Sequence, residues 1–154
     1  MKKYTELVQD ILPDIKEVFP WDVEESINNN EDLILLDIRE ADEFTSAKIA
    51  NSINVPRGLL EGACDWGYDD TVPELAAGRD KDIIVICRSG NRSALAAYTM
   101  KLMGFTKAKS LKTGLRGWND SELELIDNNG NIVDIDDADE LFANKVRPEQ
   151  MEKG

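Results

Sequence analysis

Asp82-Ile83-Ile84-Val85-Ile86-Cys87-Arg88-Ser89-Gly90-Asn91-Arg92-Ser93, with the periodic segment that continues to Met103, decides the fold. Four consecutive apolar residues, three of them isoleucine, spell a strand buried on both faces, the kind found inside a parallel sheet. Leu95, Tyr98, Leu102 and Met103 then recur at helical spacing. Ser93 is placed to cap that helix at its start, and Gly104 to close it in the left-handed conformation. The pattern therefore delivers one cysteine to the carboxyl edge of a central strand, facing the positive end of a helix.

That position changes the chemistry of the thiol. Backbone N–H groups converge in a tight glycine-containing loop, the helix dipole adds partial positive charge, and Arg88 and Arg92 add two full charges. A thiolate is favoured there, and the loop Arg88-Ser89-Gly90-Asn91-Arg92-Ser93 offers the same cradle to an incoming anion. A structural cysteine at a strand end normally has apolar neighbours rather than two arginines and a glycine. The chain has no histidine, which excludes a Cys-His pair.

With 154 residues a single domain is the default, and 42% apolar content suits a chain with an ordinary hydrophobic core. A net charge of −13 argues against nucleic acid and anionic membrane as partners, because both repel such a surface. Two cysteines, Cys64 and Cys87, are too few for a disulfide framework and fit a reducing compartment, the cytoplasm. Met1-Lys2-Lys3 is followed by mixed polar and apolar residues, so neither a signal peptide nor a membrane span is expected.

Val8, Ile11, Leu12, Ile15 and Val18 share a helical face, which predicts an amphipathic helix over about 5–18; Pro13 either kinks it or starts a second short one. Phe19-Pro20-Trp21 reads as a short edge strand, and Asp22 to Glu25 as a capped helix that ends before Asn28-Asn29-Asn30. Leu33 to Ile38 is a second buried strand. Asp37 and Arg39 at its carboxyl end stand where open α/β sheets bind ligands, although a structural ion pair is the commoner use of such a pair. A short helix over Glu40 to Phe44 and a strand over Ile49 to Pro56 follow, then Arg57-Gly58 and a weakly periodic stretch to Arg79 that holds Cys64. Cys64 either resolves an oxidised or persulfidated Cys87 or, more simply, fills space. Ala108 to Leu111 makes the last parallel strand, and Thr113-Gly114 turns into a helix carrying Trp118. Leu123 to Ile126 and Ile132 to Ile135 flank Asn128-Asn129-Gly130-Asn131 as a hairpin, and Asp136-Asp137 caps a final helix through Phe142 to Val146, ahead of a frayed end. The chain thus divides into an N-terminal amphipathic helix (1–21), a core domain (22–125) and an accessory hairpin and helix (126–154) that covers the core or meets another subunit.

Four ordered passages carry a resemblance. They are Leu35-Leu36-Asp37-Ile38-Arg39-Glu40 with Glu43-Phe44, Ile49-Ala50-Asn51-Ser52-Ile53-Asn54-Val55-Pro56-Arg57-Gly58, Cys87 to Ser93, and Thr113-Gly114-Leu115-Arg116-Gly117-Trp118. Over about Asp22 to Leu125 the chain resembles single-domain rhodaneses, the thiosulfate sulfurtransferase family. It departs from the family pattern at Ala47-Lys48-Ile49, where Gly-His-Ile is usual, a histidine regarded as structural. The resemblance implies a three-layer α/β fold with a central parallel five-stranded sheet flanked by helices on both faces, here with a C-terminal hairpin and helix added. It also implies sulfur transfer through a Cys87 persulfide, with the loop from Arg88 to Ser93 binding a small anionic donor such as thiosulfate or a persulfide. A thiol or a protein accepts the sulfur, and no metal or other cofactor takes part. Asp37, Arg39 and Arg57 support the site. The alternatives are a protein-to-protein persulfide carrier, a non-catalytic rhodanese-like module, and a cysteine-dependent phosphatase or arsenate reductase. The related phosphatases place one more residue between cysteine and arginine than the four that separate Cys87 from Arg92, so the shorter loop favours a sulfur atom over a tetrahedral oxyanion.

Overall fold

A computed structural model describes residues 1–29 and 31–153; Asn30 of the predicted asparagine stop and Gly154 of the predicted frayed end lie outside the described residues. Five strands, β1 (Lys16–Val18), β2 (Leu33–Asp37), β3 (Ile53–Asn54), β4 (Asp82–Ile86) and β5 (Ala108–Leu111), form one sheet in the order β1-β5-β4-β2-β3, and every pairing is parallel. Eight α-helices connect and cover them: α1 (Tyr4–Ile11), α2 (Pro20–Asn28), α3 (Ala41–Ser46), α4 (Leu60–Ala63), α5 (Pro73–Ala76), α6 (Asn91–Leu102), α7 (Gly114–Asp120) and α8 (Ile135–Phe142). None of the described helices is long and apolar enough to cross a membrane.

The central strand is buried on both faces, as its composition demands. Ile83 and Val85 join Leu36, Ala96, Ala97, Met100 and Phe105 in one core. Ile84 and Ile86 join Leu35, Leu115, Trp118 and Phe142 in the other. At roughly 1.5–3 kcal/mol per buried aliphatic side chain, these four residues of β4 together gain about 6–12 kcal/mol of gross burial, as much as a whole domain's net stability.

Several elements depart from the sequence expectation, each for a local reason. The first helix stops at Ile11, because Pro13 lacks the N–H the helix needs and sits in a 3₁₀ turn over Leu12–Asp14; the chain then extends into β1. The edge strand is therefore Lys16–Val18 and not Phe19-Pro20-Trp21. Pro20 holds Phe19 extended (ψ 156°) and opens α2 at its first position. The third strand shrinks to Ile53–Asn54, because the chain turns at Asn51 (φ 66°), where the Ser52 N–H donates to the Ile49 carbonyl at 3.2 Å.

On α6 the expected face of Leu95, Tyr98, Leu102 and Met103 is not the buried one: Leu102 is 72% exposed, while Ala94, Ala96, Ala97 and Met100 are buried. Alanines let the helix lie close against β4 and β5, with Met100 buried beside them and Leu102 turned outward. Gly90 (φ 97°), not Ser93, is the N-cap. The C-terminus agrees with the expectation, since Gly104 (φ 95°) donates to the Lys101 carbonyl at 3.0 Å and Phe105 to that of Met100 at 3.0 Å, the paired bonds of a Schellman closure.

The predicted C-terminal hairpin reduces to single bridges, Ile126 with Ile132 and Ile126 with Lys48. The Asp127 carboxylate takes the N–H groups of Asn129 (2.9 Å) and Asn131 (3.0 Å), a local turn that competes with ladder formation. Helix α8 starts earlier than expected and ends at Phe142, and its cap is Asp134, which accepts from the N–H groups of Asp136 and Asp137. Asn119 of α7 clasps it, donating to the Ile135 carbonyl (3.0 Å) and to Asp139 (2.7 Å).

Candidate active site

Cys87 follows β4 directly and is completely buried. Its Sγ accepts the N–H of Gly90 at 3.1 Å and that of Ser93 at 3.3 Å, and stands 3.3 Å from Ser93 Oγ. Ser93 Oγ in turn meets Ser110 Oγ of β5 at 2.7 Å and the Gly90 carbonyl at 3.2 Å. Two amide N–H groups thus point at the sulfur, and a serine hydroxyl stands beside it. Among the described residues the N–H groups of Ser89, Asn91 and Arg92 take no backbone or side-chain acceptor. They are free for whatever enters the first turn of α6.

The loop is clamped from behind by α7. Leu115 N–H donates to the Cys87 carbonyl at 2.9 Å and Arg116 N–H to that of Arg88 at 3.0 Å. This approach requires Gly114: its φ is 60°, and a Cβ there would lie 2.5 Å from the carbonyl oxygens of both Cys87 and Arg88.

The two loop arginines are not equivalent. Arg92 forms a two-pronged ion pair with Glu43 of α3, Nη1 to Oε2 at 2.9 Å and Nη2 to Oε1 at 3.0 Å. That bond, more than any other influence, holds the Glu43 carboxyl below the usual range, and the same bond raises Arg92. Glu43 also accepts the N–H of Glu40 at 3.0 Å, so it fixes the start of α3 as well as the loop. Arg88 has no acidic partner among the described residues and is the loop's uncompensated cation. Because Glu43 is depressed when folded, its ion pair stabilises the protein above the ordinary carboxylate range and is lost as pH falls through the folded-state value. Thermal melts of wild type and Glu43→Gln should accordingly differ at neutral pH and converge at acid pH; a constant difference would mean that the charge contributes nothing.

Asp37 and Arg39 meet as a buried pair, Arg39 Nη2 to Asp37 Oδ2 at 2.8 Å and Arg39 Nε to Oδ1 at 3.0 Å. Arg39 also donates to the carbonyls of Ala47 (2.6 Å) and Glu43 (3.2 Å), so its guanidinium is used in holding the β2–α3 connection. Arg57 is directed elsewhere. It bonds Glu61 (3.3 Å) and Thr99 Oγ1 (3.1 Å), and Thr99 lies about 9 Å along α6 from Ser93. Cys64 is a fully buried free thiol, pushed up to about 11 chiefly by burial, which keeps it protonated and a poor attacking group at neutral pH.

Sequence reasoning missed other contributors. Tyr4 of α1 titrates above its ordinary range, first through burial and then through the negative charge of Cys87, offset by Arg92 and Arg88; α1 packs on α6 and so brings this hydroxyl towards the loop. A cavity of about 180 Å³ opens beside Arg88, with Arg39, Asp42 and Ser46 on one side and Leu141 and Phe142 of α8 on the other. Glu43 lay within a recognised passage without a role, whereas Leu141 carries no signal in sequence at all.

Comparison with known proteins agrees with this geometry. The sequence profile of the rhodanese-like domain matches residues 20–121. The chain is similar to a putative sulfur carrier protein, YrkF, of Bacillus subtilis (strain 168), 34% identical over 94 residues, which are 61% of this chain and 45% of that protein. It is also similar to the adenylyltransferase and sulfurtransferase MOCS3-1 of Zea mays, 31% identical over 113 residues, 70% of this chain and 22% of the other. The chain therefore spans less than half the length of these two relatives. Among solved structures, a Rhodopseudomonas palustris CGA009 protein of unknown function, described as a possible tyrosine phosphatase, superposes with a TM-score of 0.72 at 25% identity, over 86% of this chain and 96% of that one. A thiosulfate sulfurtransferase from Pseudomonas aeruginosa shares the fold, with a TM-score of 0.65 at 23% identity over 81% of this chain and 22% of the other. The five-stranded parallel sheet, the cysteine loop at its carboxyl edge and the profile over two thirds of the sequence have one meaning: this chain belongs to the rhodanese-like domain family.

Proposed function

We propose that the protein is a sulfurtransferase that carries a sulfane sulfur on Cys87. The observation that supports this best is the seat of the sulfur, where the N–H groups of Gly90 and Ser93 already point at Sγ. The Cys87 thiolate attacks the outer sulfur of thiosulfate or of a persulfide donor. A sulfur–sulfur bond forms at Sγ, the donor's own sulfur–sulfur bond breaks, and sulfite or a thiolate leaves with the electron pair. No proton has to move, which suits a chain without histidine. The unused N–H groups of Ser89, Asn91 and Arg92 receive the terminal sulfur anion, and Arg88 draws in the anionic donor. Arg92, tied to Glu43, shapes the loop.

A thiol or a second protein then removes the sulfur. The protein-acceptor version draws support from relatives named as a sulfur carrier and as sulfurtransferases. The phosphatase reading is disfavoured by the four-residue spacing between Cys87 and Arg92 and by a nucleophile with no exposed surface, which a terminal sulfur reaches more easily than a tetrahedral phosphoryl group. A thiol that must stay reduced between turnovers suits the cytoplasm.

Incubation with thiosulfate, and separately with a persulfide, followed by intact-mass measurement, tests the proposal. Gain of one sulfur atom per chain is expected, unchanged in Cys64→Ser because that thiol is buried and protonated. No gain from either donor would overturn the sulfur-transfer reading.

A further inference from the structure

The cavity beside Arg88 is built by more than the family domain. Leu141 and Phe142 belong to α8, beyond residues 20–121, and α8 is fixed on α7 by the Asn119 bonds described above. Its charges are sorted in a particular way. Arg39 is committed to Asp37, and Glu43 to Arg92. That leaves one cation, Arg88, and one carboxylate, Asp42, without an ionic partner among the described residues, beside an apolar wall. The volume is also informative. An apolar cavity of roughly 150 Å³ takes benzene, so about 180 Å³ holds more than the five heavy atoms of thiosulfate.

We infer that this cavity is the subsite for the organic part of the sulfur compound, and that it takes a small amino-acid-type thiol or its persulfide. The carboxylate pairs with Arg88, the ammonium with Asp42, and the methylene carbons lie against Leu141. The chemistry of the inference rests on the sulfur-transfer reading. The acceptor thiolate attacks the outer sulfur of the Cys87 persulfide, a new sulfur–sulfur bond forms on the acceptor, and the enzyme's sulfur–sulfur bond breaks with its electron pair returning to Cys87 Sγ. One sulfur atom moves and no external oxidant or reductant is consumed. Leu141 is then a specificity-determining residue supplied by the C-terminal extension.

S-methylcysteine, which cannot react, is the probe. Titrated into the full chain and followed by NMR, it should shift the Leu141 methyl and Arg88 side-chain signals, and it should bind at least about tenfold more tightly than 3-(methylthio)propionate or 2-(methylthio)ethylamine, each of which lacks one charge. Leu141→Asp, a change at an exposed position, should weaken that binding about tenfold, and Asp42→Asn should erase the advantage over the propionate. In a second measurement, chains preloaded with sulfur should lose it to cysteine about tenfold more slowly in Leu141→Asp than in wild type, while loss to cyanide stays within about twofold. Absence of analogue binding, equal binding of all three analogues, or equal slowing with cysteine and cyanide would overturn the subsite. Binding of the analogue by a chain that takes up no sulfur would leave the subsite standing and remove the sulfur-transfer reading, so the two fail separately.

Discussion

Cys87→Ser should take up no sulfur from thiosulfate or a persulfide and yet keep its fold. The loss is chemical: a serine hydroxyl stays protonated at neutral pH and forms no persulfide. The fold survives because the replacement is nearly isosteric in a completely buried position, and the N–H groups of Gly90 and Ser93 still find an oxygen where they found sulfur. An unfolding free energy within about 1 kcal/mol of wild type is expected, since two hydrogen bonds are altered rather than orphaned. Intact-mass measurement after exposure to donor decides the point. If the variant gained sulfur at the wild-type ratio, the carrier would be another group and the role assigned to Cys87 would fall.

Asp37→Ala carries the largest expected cost in stability, about 3–5 kcal/mol against a total of about 5–15. Arg39 is 2% exposed, and its guanidinium keeps only two backbone carbonyls once the carboxylate is gone. A charge without its partner in that place costs far more than the ion pair itself gains. The double variant Asp37→Leu with Arg39→Met removes both charges and should recover much of the loss, as paired replacement by apolar groups often does. Urea titrations of the three proteins measure this. A single variant within about 1 kcal/mol of wild type would show that water reaches Arg39 in its absence.

Local signals were legible where local rules governed. Four apolar residues before Cys87 declared a doubly buried strand, and the glycine-containing loop after it declared a turn into a helix, because strand, turn and helix start are written in consecutive residues. The Asp37–Arg39 pair was equally local. What escaped depends on chain segments far apart. Glu43 neutralises Arg92 from 49 residues away, a pairing that no spacing rule contains. Leu141 stands beside Arg88 because α8 is held on α7, by the Asn119 bonds and by burial of Ala138 and Phe142 against Leu115 and Trp118. The spacing of large apolar residues on α6 marks the helix but not its buried face: Leu102 is exposed, and close packing on the sheet selects the alanines.

The strand order also sets a sequence of events in time. β1 lies at the sheet edge beside β5, with Lys16 opposite Lys109, so the edge closes only after a stretch of more than ninety residues has been looped. Such distant pairing slows folding, since the entropy of loop closure is lost before any contact returns it. The cysteine loop waits on a nearer partner: the amides that hold the Cys87 and Arg88 carbonyls belong to Leu115 and Arg116, later in the chain than every strand. A chain still being synthesised therefore has Cys87 and the N–H groups of Gly90 and Ser93 around it before it has the back wall of the loop.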